Sequence, residues 1–311
     1  MLKIDAAEKK ALKGRGYILT NDGEHFIARI VSGNGVYTNE EMAAIVKAAK
    51  DYGSGDLALT SRMNIEVQGI PYENIEPFGK AIADAGMLVG GTGAKVRPVV
   101  CCKGTVCVHG LADTQGLANT IHEQFFMGWN NVSLPHKFKI GVGGCPNNCI
   151  KPQLNDFGGV GHRKPAYDAD KCKACGKCPV VTGCPMKICS KDADGKMTVD
   201  TAACTGCGKC IDNCLFGAVS EEARGLTVTV GGIWGKHQRM GTAVPGVYST
   251  EELLKLLEKC ILLYRDLGYA GERLGRCIER IGVDVFMAQL LSDDVLNRKE
   301  EILSAPLKTR A

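Results

Sequence analysis

Between residues 172 and 214 the chain sets eight cysteines in two short runs, Cys172-x2-Cys175-x2-Cys178-x5-Cys184 and Cys204-x2-Cys207-x2-Cys210-x3-Cys214. No other feature narrows its folding choices as far. Spacings this short bring several thiolates to one point, which a metal centre requires and a packed apolar core does not. Upstream, Cys101, Cys102 and Cys107 precede a C-x3-C pair, Cys145 and Cys149, and none of the sixteen cysteines lies before Cys101. Disulfides explain this poorly. No secretory segment opens the sequence and no apolar run reaches the ~18 residues of a membrane span. The expected location is therefore the cytoplasm, where thiols stay reduced.

The paired runs have the form of a bacterial two-cluster ferredoxin module, in which the last cysteine of each run ligates the cluster of the other. By that rule Cys172, Cys175, Cys178 and Cys214 share one 4Fe–4S cubane. Cys204, Cys207, Cys210 and Cys184 share the second, although x5 in place of x3 lengthens the loop before Cys184. Cys189 fits neither pattern and packs beside the clusters. Cys107, Cys145 and Cys149, with Cys101 or Cys102, form a third set of four; zinc could use it, but the ferredoxin runs downstream favour iron. Cys260 falls on a helical stripe with Leu253, Leu256, Leu257 and Tyr264, so it reads as core, as does Cys277.

Residues 134–151 concentrate the remaining chemistry. Lys137 and Lys139 alternate with apolar residues, so on a strand they share one side, and the glycine-rich bend that follows delivers Cys145 and Cys149. Two ammonium groups beside a thiolate site would form an anion-attracting wall. The plainer alternative is an exposed strand edge with solvated lysines. A net charge of +4 is too small to argue for nucleic acid, and 45% apolar with 23% charged residues suits an ordinary soluble protein. The basic residues matter by position.

Elsewhere the pattern is a small α+β lobe followed by a cysteine-bearing domain. Residues 1–16 are polar and basic and read as a loosely held arm. Residues 24–31 suit a strand; Thr38 with Glu41 and Ser249 with Glu252 are capping boxes opening helices. Residues 56–68 read as one bent or two consecutive strands carrying Arg62, and helices follow at about 73–85 and 114–126. The glycines of 90–95 lack phosphate-loop spacing and read as a flexible connection. Strand character returns at 225–232, before a basic, glycine-broken loop holding Lys236, His237 and Arg239.

Taken together, Leu59-Thr60-Ser61-Arg62, Val96-Arg97-Pro98-Val99-Val100, the two cysteine pairs, Leu134-Pro135-His136-Lys137-Phe138-Lys139 and Gly-Cys-Pro-Asn-Asn-Cys resemble the siroheme-containing sulfite and nitrite reductases. The likeness is greatest to short, single-repeat anaerobic or dissimilatory-type enzymes carrying an inserted ferredoxin domain. It runs through about residues 25–162 and, more loosely, 225–285. The fold it implies is α+β: a ferredoxin-like lobe at 1–88, a siroheme/4Fe–4S domain at 89–164 and 225–311, and an inserted two-cluster domain at 165–224.

The resemblance also implies a siroheme whose iron shares a thiolate with a cubane; by position that thiolate is Cys149. Arg62, Arg97, Lys137 and Lys139 match the family's basic residues around the substrate oxyanion. Lys236, His237, Arg239 and Arg273 would answer the carboxylates of siroheme. The family's usual C-x5-C spacing would choose Cys101 with Cys107. Aligning its C-x-G chooses Cys102, and this is the preferred reading because Gly104 would fix the turn, leaving Cys101 on the opposite side. The implied reaction is six-electron reduction of sulfite to sulfide, with nitrite reduction to ammonia as a second reading and a non-catalytic iron–sulfur electron-transfer subunit as a third. Expected partners are a ferredoxin or flavoprotein donor and a second chain, identical or related. No dinucleotide fingerprint is present.

Overall fold

The chain is seen in a computed structural model that describes residues 4–310. The first lobe runs α1 (Ala6–Gly14), β1 (Tyr17–Leu19), β2 (His25–Val31), α2 (Asn39–Tyr52), β3 (Leu57–Leu59), β4 (Ile65–Pro71), α3 (Ile75–Asp84) and β5 (Leu88–Val89). Its sheet has the order β1-β2-β4-β3, with β5 also paired to β2, and every pairing is antiparallel. Alternation along β2 sends Phe26, Ala28 and Ile30 inward to meet Ile45 and Ala49 of α2 and Phe78 and Ile82 of α3. The capping box of Thr38 and Glu41 is formed, each side chain accepting the other's backbone N–H.

Two expectations fail in this lobe. Residues 6–14 are a helix capped by Asp5 and anchored by buried Leu12, so that part of the arm is docked, while residues 1–3 lie outside the described residues. The 90–95 connection is pinned as well. The Gly91 carbonyl accepts from the guanidiniums of both Arg29 and Arg97, and buried Thr92 donates to Lys13.

The second lobe contains β6 (Val100–Cys101), α4 (Thr114–Ile121), β7 (Ile140–Gly143) and the long β8 (Phe157–Tyr167). The chain then leaves through α5 (Pro179–Gly183), β9 (Cys189–Lys191), β10 (Met197–Val199) and α6 (Lys209–Asn213). It returns on β11 (Val219–Val230) and β12 (Thr242–Tyr248), followed by α7 (Thr250–Leu267), α8 (Leu274–Ile281), α9 (Val283–Leu291), α10 (Asp294–Asn297) and α11 (Lys299–Ser304). The sheet order is β12-β11-β8-β7-β6, antiparallel from β12 to β8 and parallel from β8 to β6.

Helix α7 covers this sheet with Leu253, Leu256, Leu257, Cys260, Ile261 and Tyr264, all buried, so Cys260 is core; Cys277 is equally buried. The helix expected at 114–126 changes character after Ile121, where His122–Met127 form a π-type turn. Strands β8 and β11 stay paired from Phe157/Val230 to Tyr167/Val219 and carry the cysteine-rich segment at their far end. Among the described residues no helix is long and apolar enough to cross a membrane.

Candidate functional site

Residues 95–97 and 137–139 run side by side. Val96 and Phe138 form a parallel bridge, Arg97 N–H donates to Phe138 O at 2.8 Å, and both bridge residues are buried. The alternation of extended chain then puts Arg97, Lys137 and Lys139 on the opposite face together. Arg62 arrives from the first lobe, at the tight turn between β3 and β4. Its guanidinium donates to Asn155 Oδ1 at 3.0 Å, Pro98 O at 2.6 Å and Ile140 O at 3.3 Å. The four basic residues expected around an anion therefore meet at the junction of the two lobes.

Their fields show the meeting. Burial, and next the charge of Arg97, pulls Arg62 down to about 10. Burial, with Arg29 and Arg273 beside it, brings Arg97 to about 10 as well. Lys139 comes down to about 8, through burial and then Arg62, Arg273 and Lys137. Lys137 is lowered by burial, Arg273 and Arg97. Neither lysine amine has a hydrogen-bond or ion-pair partner among the described residues. Arg62, Arg97 and Arg273 each bury an Nε–H that finds no acceptor. Unpaired buried donors are rare in folded chains, and their cluster fits an anion.

A residue absent from the sequence reading organises this cluster. Asp156, fully buried, accepts from Lys139 N–H at 2.8 Å and from Arg273 at 3.0 and 2.8 Å. It lies one residue ahead of β8 in no recognisable spacing, so nothing local announces it. Beside the cluster opens a cavity of about 660 Å³, lined by Lys137, Lys236, Arg273, Arg276 and Arg310 with His136, His237 and Trp234. That volume lies within the usual ~300–1,000 Å³ of cofactor sites. Arg273, Arg276 and Arg310 are ion-paired with Asp156, Glu279 and Glu272, while Lys137 and Lys236 have no ion-pair partner among the described residues. With the exposed indole of Trp234, the two free ammonium groups suit a flat, polycarboxylated macrocycle such as siroheme. Arg276 and Arg310 were not foreseen. Arg239 was, but its guanidinium donates to Val230 O, Gly231 O, Met240 O and Thr242, so it ties the loop together and does not line the cavity.

The third set of cysteines lies in two loops packed back to back. A Cβ on Gly104 would meet Gly144 Cα at 2.8 Å, and one on Gly144 would meet Gly104 Cα at 2.7 Å, so only glycine permits the approach. Gly144 N–H donates to Cys102 Sγ at 3.1 Å. Burial pushes the Cys145 thiol up, and Cys102, Cys149 and Cys107 add to the shift, which marks the four as neighbours. Cys149 is the exposed member. Cys101 points the other way: it is buried, its thiol donates to Asn34 O at 3.0 Å, and burial pushes it up to about 12. Asn148 and Lys151 hold left-handed backbone at φ 58° and 50°, folding the C-x3-C loop back on itself.

The two downstream cysteine runs line two further cavities. Cys172, Cys175, Cys178 and Cys214 surround one of about 320 Å³, and Cys184, Cys204, Cys207 and Cys210 surround a smaller one of about 30 Å³. Cys189 borders the second, buried, with its thiol raised to about 12 by burial and then by Cys184. The Cys204 run docks on β8: Arg163 N–H donates to Gly206 O at 2.8 Å, and the Arg163 guanidinium holds Asp212 at 2.8 Å.

The Nitrite and sulphite reductase 4Fe-4S domain matches residues 92–299, and the Nitrite/Sulfite reductase ferredoxin-like half domain matches residues 18–85. The chain is 32% identical to the Coenzyme F420-dependent sulfite reductase of Methanocaldococcus jannaschii, over 86% of this chain and 42% of that protein. It is 29% identical to the dissimilatory-type sulfite reductase subunit alpha of Allochromatium vinosum, over 81% of this chain and 65% of that one. It thus spans less than two thirds of either relative. Among solved structures, dissimilatory sulfite reductase I superposes with a TM-score of 0.68 at 22% identity, covering 86% of this chain and 69% of the other. That likeness shows the fold.

Proposed function

The chain belongs to the nitrite and sulphite reductase family, and on that premise we propose that it reduces sulfite to sulfide at a siroheme coupled to a 4Fe–4S cubane. The observation that carries this reading is the convergence of Arg62, Arg97, Lys137 and Lys139 beside a large cationic cavity and a four-cysteine site. Siroheme and its cubane supply the redox chemistry when bound. Lys137, Lys236, His237, Arg273, Arg276 and Arg310 would hold the carboxylates, and Cys102, Cys107, Cys145 and Cys149 the cubane, with Cys149 shared between the two.

The chain's own contribution is to bind and protonate. Arg62 and Arg97 carry guanidiniums that stay charged and fork-shaped, suited to holding an oxyanion. Their anchoring to Asn155 and to backbone carbonyls fixes the forks before the anion arrives, so little ordering remains to be done. Lys139, lowered to about 8, releases a proton far more readily than an ordinary lysine and can be recharged from solvent, which suits a reaction whose oxygens leave as water. The two ferredoxin-type cubanes would feed the site with single electrons from a ferredoxin or flavoprotein, and a second chain would complete the assembly.

Anaerobically purified protein tests the reading. The expected result is an extractable tetrapyrrole, about thirteen iron atoms per chain (four in each of three cubanes and one in siroheme) and sulfide formed with reduced methyl viologen. Iron near eight atoms, with no pigment, would overturn it in favour of an electron-transfer subunit holding only the two ferredoxin-type cubanes. A much higher kcat/KM for nitrite than for sulfite would reassign the substrate.

A further inference from the structure

The two ferredoxin-type sites are not equivalent in position. The Cys204 run sits on the sheet: Arg163 of β8 bridges to Cys207, and Gly206 and Gly208 lie against His162 and Arg163 so closely that a side chain at either would collide. Gly143 of β7, two residues before Cys145, pairs with Val160 of β8. From Val160 to Arg163 is three residues, roughly 10 Å of strand. The Cys204 site is therefore the inner one, next to the Cys102/Cys107/Cys145/Cys149 site. The Cys172 site stands further out, beyond the end of the β8–β11 ribbon at Tyr167 and Val219, both of which line its cavity.

The outer site also has an unusual rim. Leu215 and Phe216, which follow its ligand Cys214, are 82% and 53% exposed. On the same rim Lys173 and Lys177 are exposed and have no ion-pair partner among the described residues. Lys191 adds a cation by donating to Cys175 O and Gly176 O. Of the nearby acids, Asp168 is paired with Lys171, and Asp192 accepts from the N–H groups of Asp194 and Lys196 in its own turn; neither forms an ion pair with Lys173 or Lys177. An apolar pair flanked by unpaired lysines directly over a redox site is a transient docking surface, and its charge selects the partner.

We propose that electrons enter at the Cys172/Cys175/Cys178/Cys214 cluster, from a small acidic one-electron carrier protein that docks on Lys173, Lys177, Leu215 and Phe216. One electron passes from the reduced carrier to the oxidised outer cluster, the oxidised carrier leaves, and the electron moves to the inner cluster and on to the heme-side site. No proton or bond changes hands at the rim. The inference rests on the reading of the chain as a reductase fed from outside, but its test does not need sulfite.

Stopped-flow bleaching of the clusters in the whole protein provides the measurement, with a reduced acidic two-cluster ferredoxin as one donor and reduced methyl viologen as the other. Lys173→Glu with Lys177→Glu should slow reduction by the ferredoxin by about ten- to a hundredfold at low salt. The double variant should keep the wild-type iron content and should not be slowed with methyl viologen, whose reduced form is a cation. Lys173→Gln with Lys177→Gln should fall between, and the wild-type ferredoxin rate should drop as salt is added. Equal ferredoxin rates in wild type and charge-reversed protein, or a wild-type rate indifferent to salt, would overturn the proposal. Charge-sensitive bleaching without sulfite reduction would uphold the docking surface while refuting the function proposed above.

Discussion

The Arg273 guanidinium holds both carboxylate oxygens of Asp156, at 3.0 and 2.8 Å, and the same carboxylate takes the backbone N–H of Lys139 at 2.8 Å. One buried acid thus sets the position of an anion-site lysine and of an arginine facing the large cavity. Asp156→Asn keeps the shape and removes the charge. Leaving Arg273 unpaired in a buried position should cost about 3–5 kcal/mol of stability, read from denaturant midpoints. A cost under about 1 kcal/mol would show that the pair is well hydrated.

Lys139 supplies a pH signature. With its amine at about 8 in the folded chain, the cationic form is present below that pH and lost above it. Log kcat/KM for sulfite should therefore decline as pH rises through about 8, and Lys139→Ala should lose this limb. Stability runs the opposite way. A lysine whose folded value is depressed binds its proton more tightly in the unfolded chain, so the cost of burying the charge is full below about 8 and fades as pH rises towards the ordinary lysine range. A pH–rate profile with the same alkaline limb in both proteins would assign the limb to another group.

Binding and proton delivery should separate by residue. Arg97 is fixed by its bond to Gly91 O and cannot act as an acid at working pH. Arg97→Ala should mainly raise KM, whereas Lys139→Ala should mainly lower kcat. Removing a charge-assisted donor typically costs about 1.5–3 kcal/mol, or roughly ten- to a hundredfold in the affected parameter. If Lys139→Ala lost affinity only, Lys139 would be a binding residue and proton delivery would fall to another group.

Adjacent cysteines provide the sharpest contrast. Cys102→Ser should abolish the heme-side cluster, seen as a loss of about four iron atoms per chain and of its absorbance. Cys101→Ser should keep the full iron content and cost stability alone, since Cys101 is buried against Asn34 O of the first lobe. Iron loss in the Cys101 variant, with none in the Cys102 variant, would reverse the assignment.

The cysteine groupings rest on spacing along the chain, which encodes proximity in space, and the structure brings each group to one place. Between Cys101 and Cys102 the local spacing left the choice open; the structure buries Cys101 against Asn34 O and turns Cys102 towards Gly144. Capping boxes at Thr38 and Ser249 were equally local, and both formed. What could not be read was long-range. Asp156 meets Arg273 across 117 residues, and Arg62 reaches Asn155 across 93. The 90–95 loop looked slack because the arginine that pins it from the first lobe, Arg29, lies 62 residues away. Arg239 had the right charge in the right loop, yet backbone carbonyls claimed it. A sequence states which residues carry charge; the fold decides which of those charges remain free.

The ribbon of β8 and β11 works as a ruler. Because it is a hydrogen-bonded ladder, its length changes only in whole residues, and side chains reverse face with every step. Lengthening both strands by one residue, between Val160 and Arg163 on β8 and between Arg224 and Thr227 on β11, would turn both ferredoxin-type sites to the opposite side of the sheet. Lengthening both by two would restore their side but move them about 7 Å away from the heme-side cysteines. The distance between the two ferredoxin-type sites is set by the cysteine runs they share and would not change. Electron tunnelling falls steeply with distance, so the rate from the inner cluster to the heme-side site, followed by flash photolysis, should drop sharply for the two-residue insertion at unchanged iron content. The spacing of the proposed electron relay would thereby be written in strand residues, well away from any cysteine.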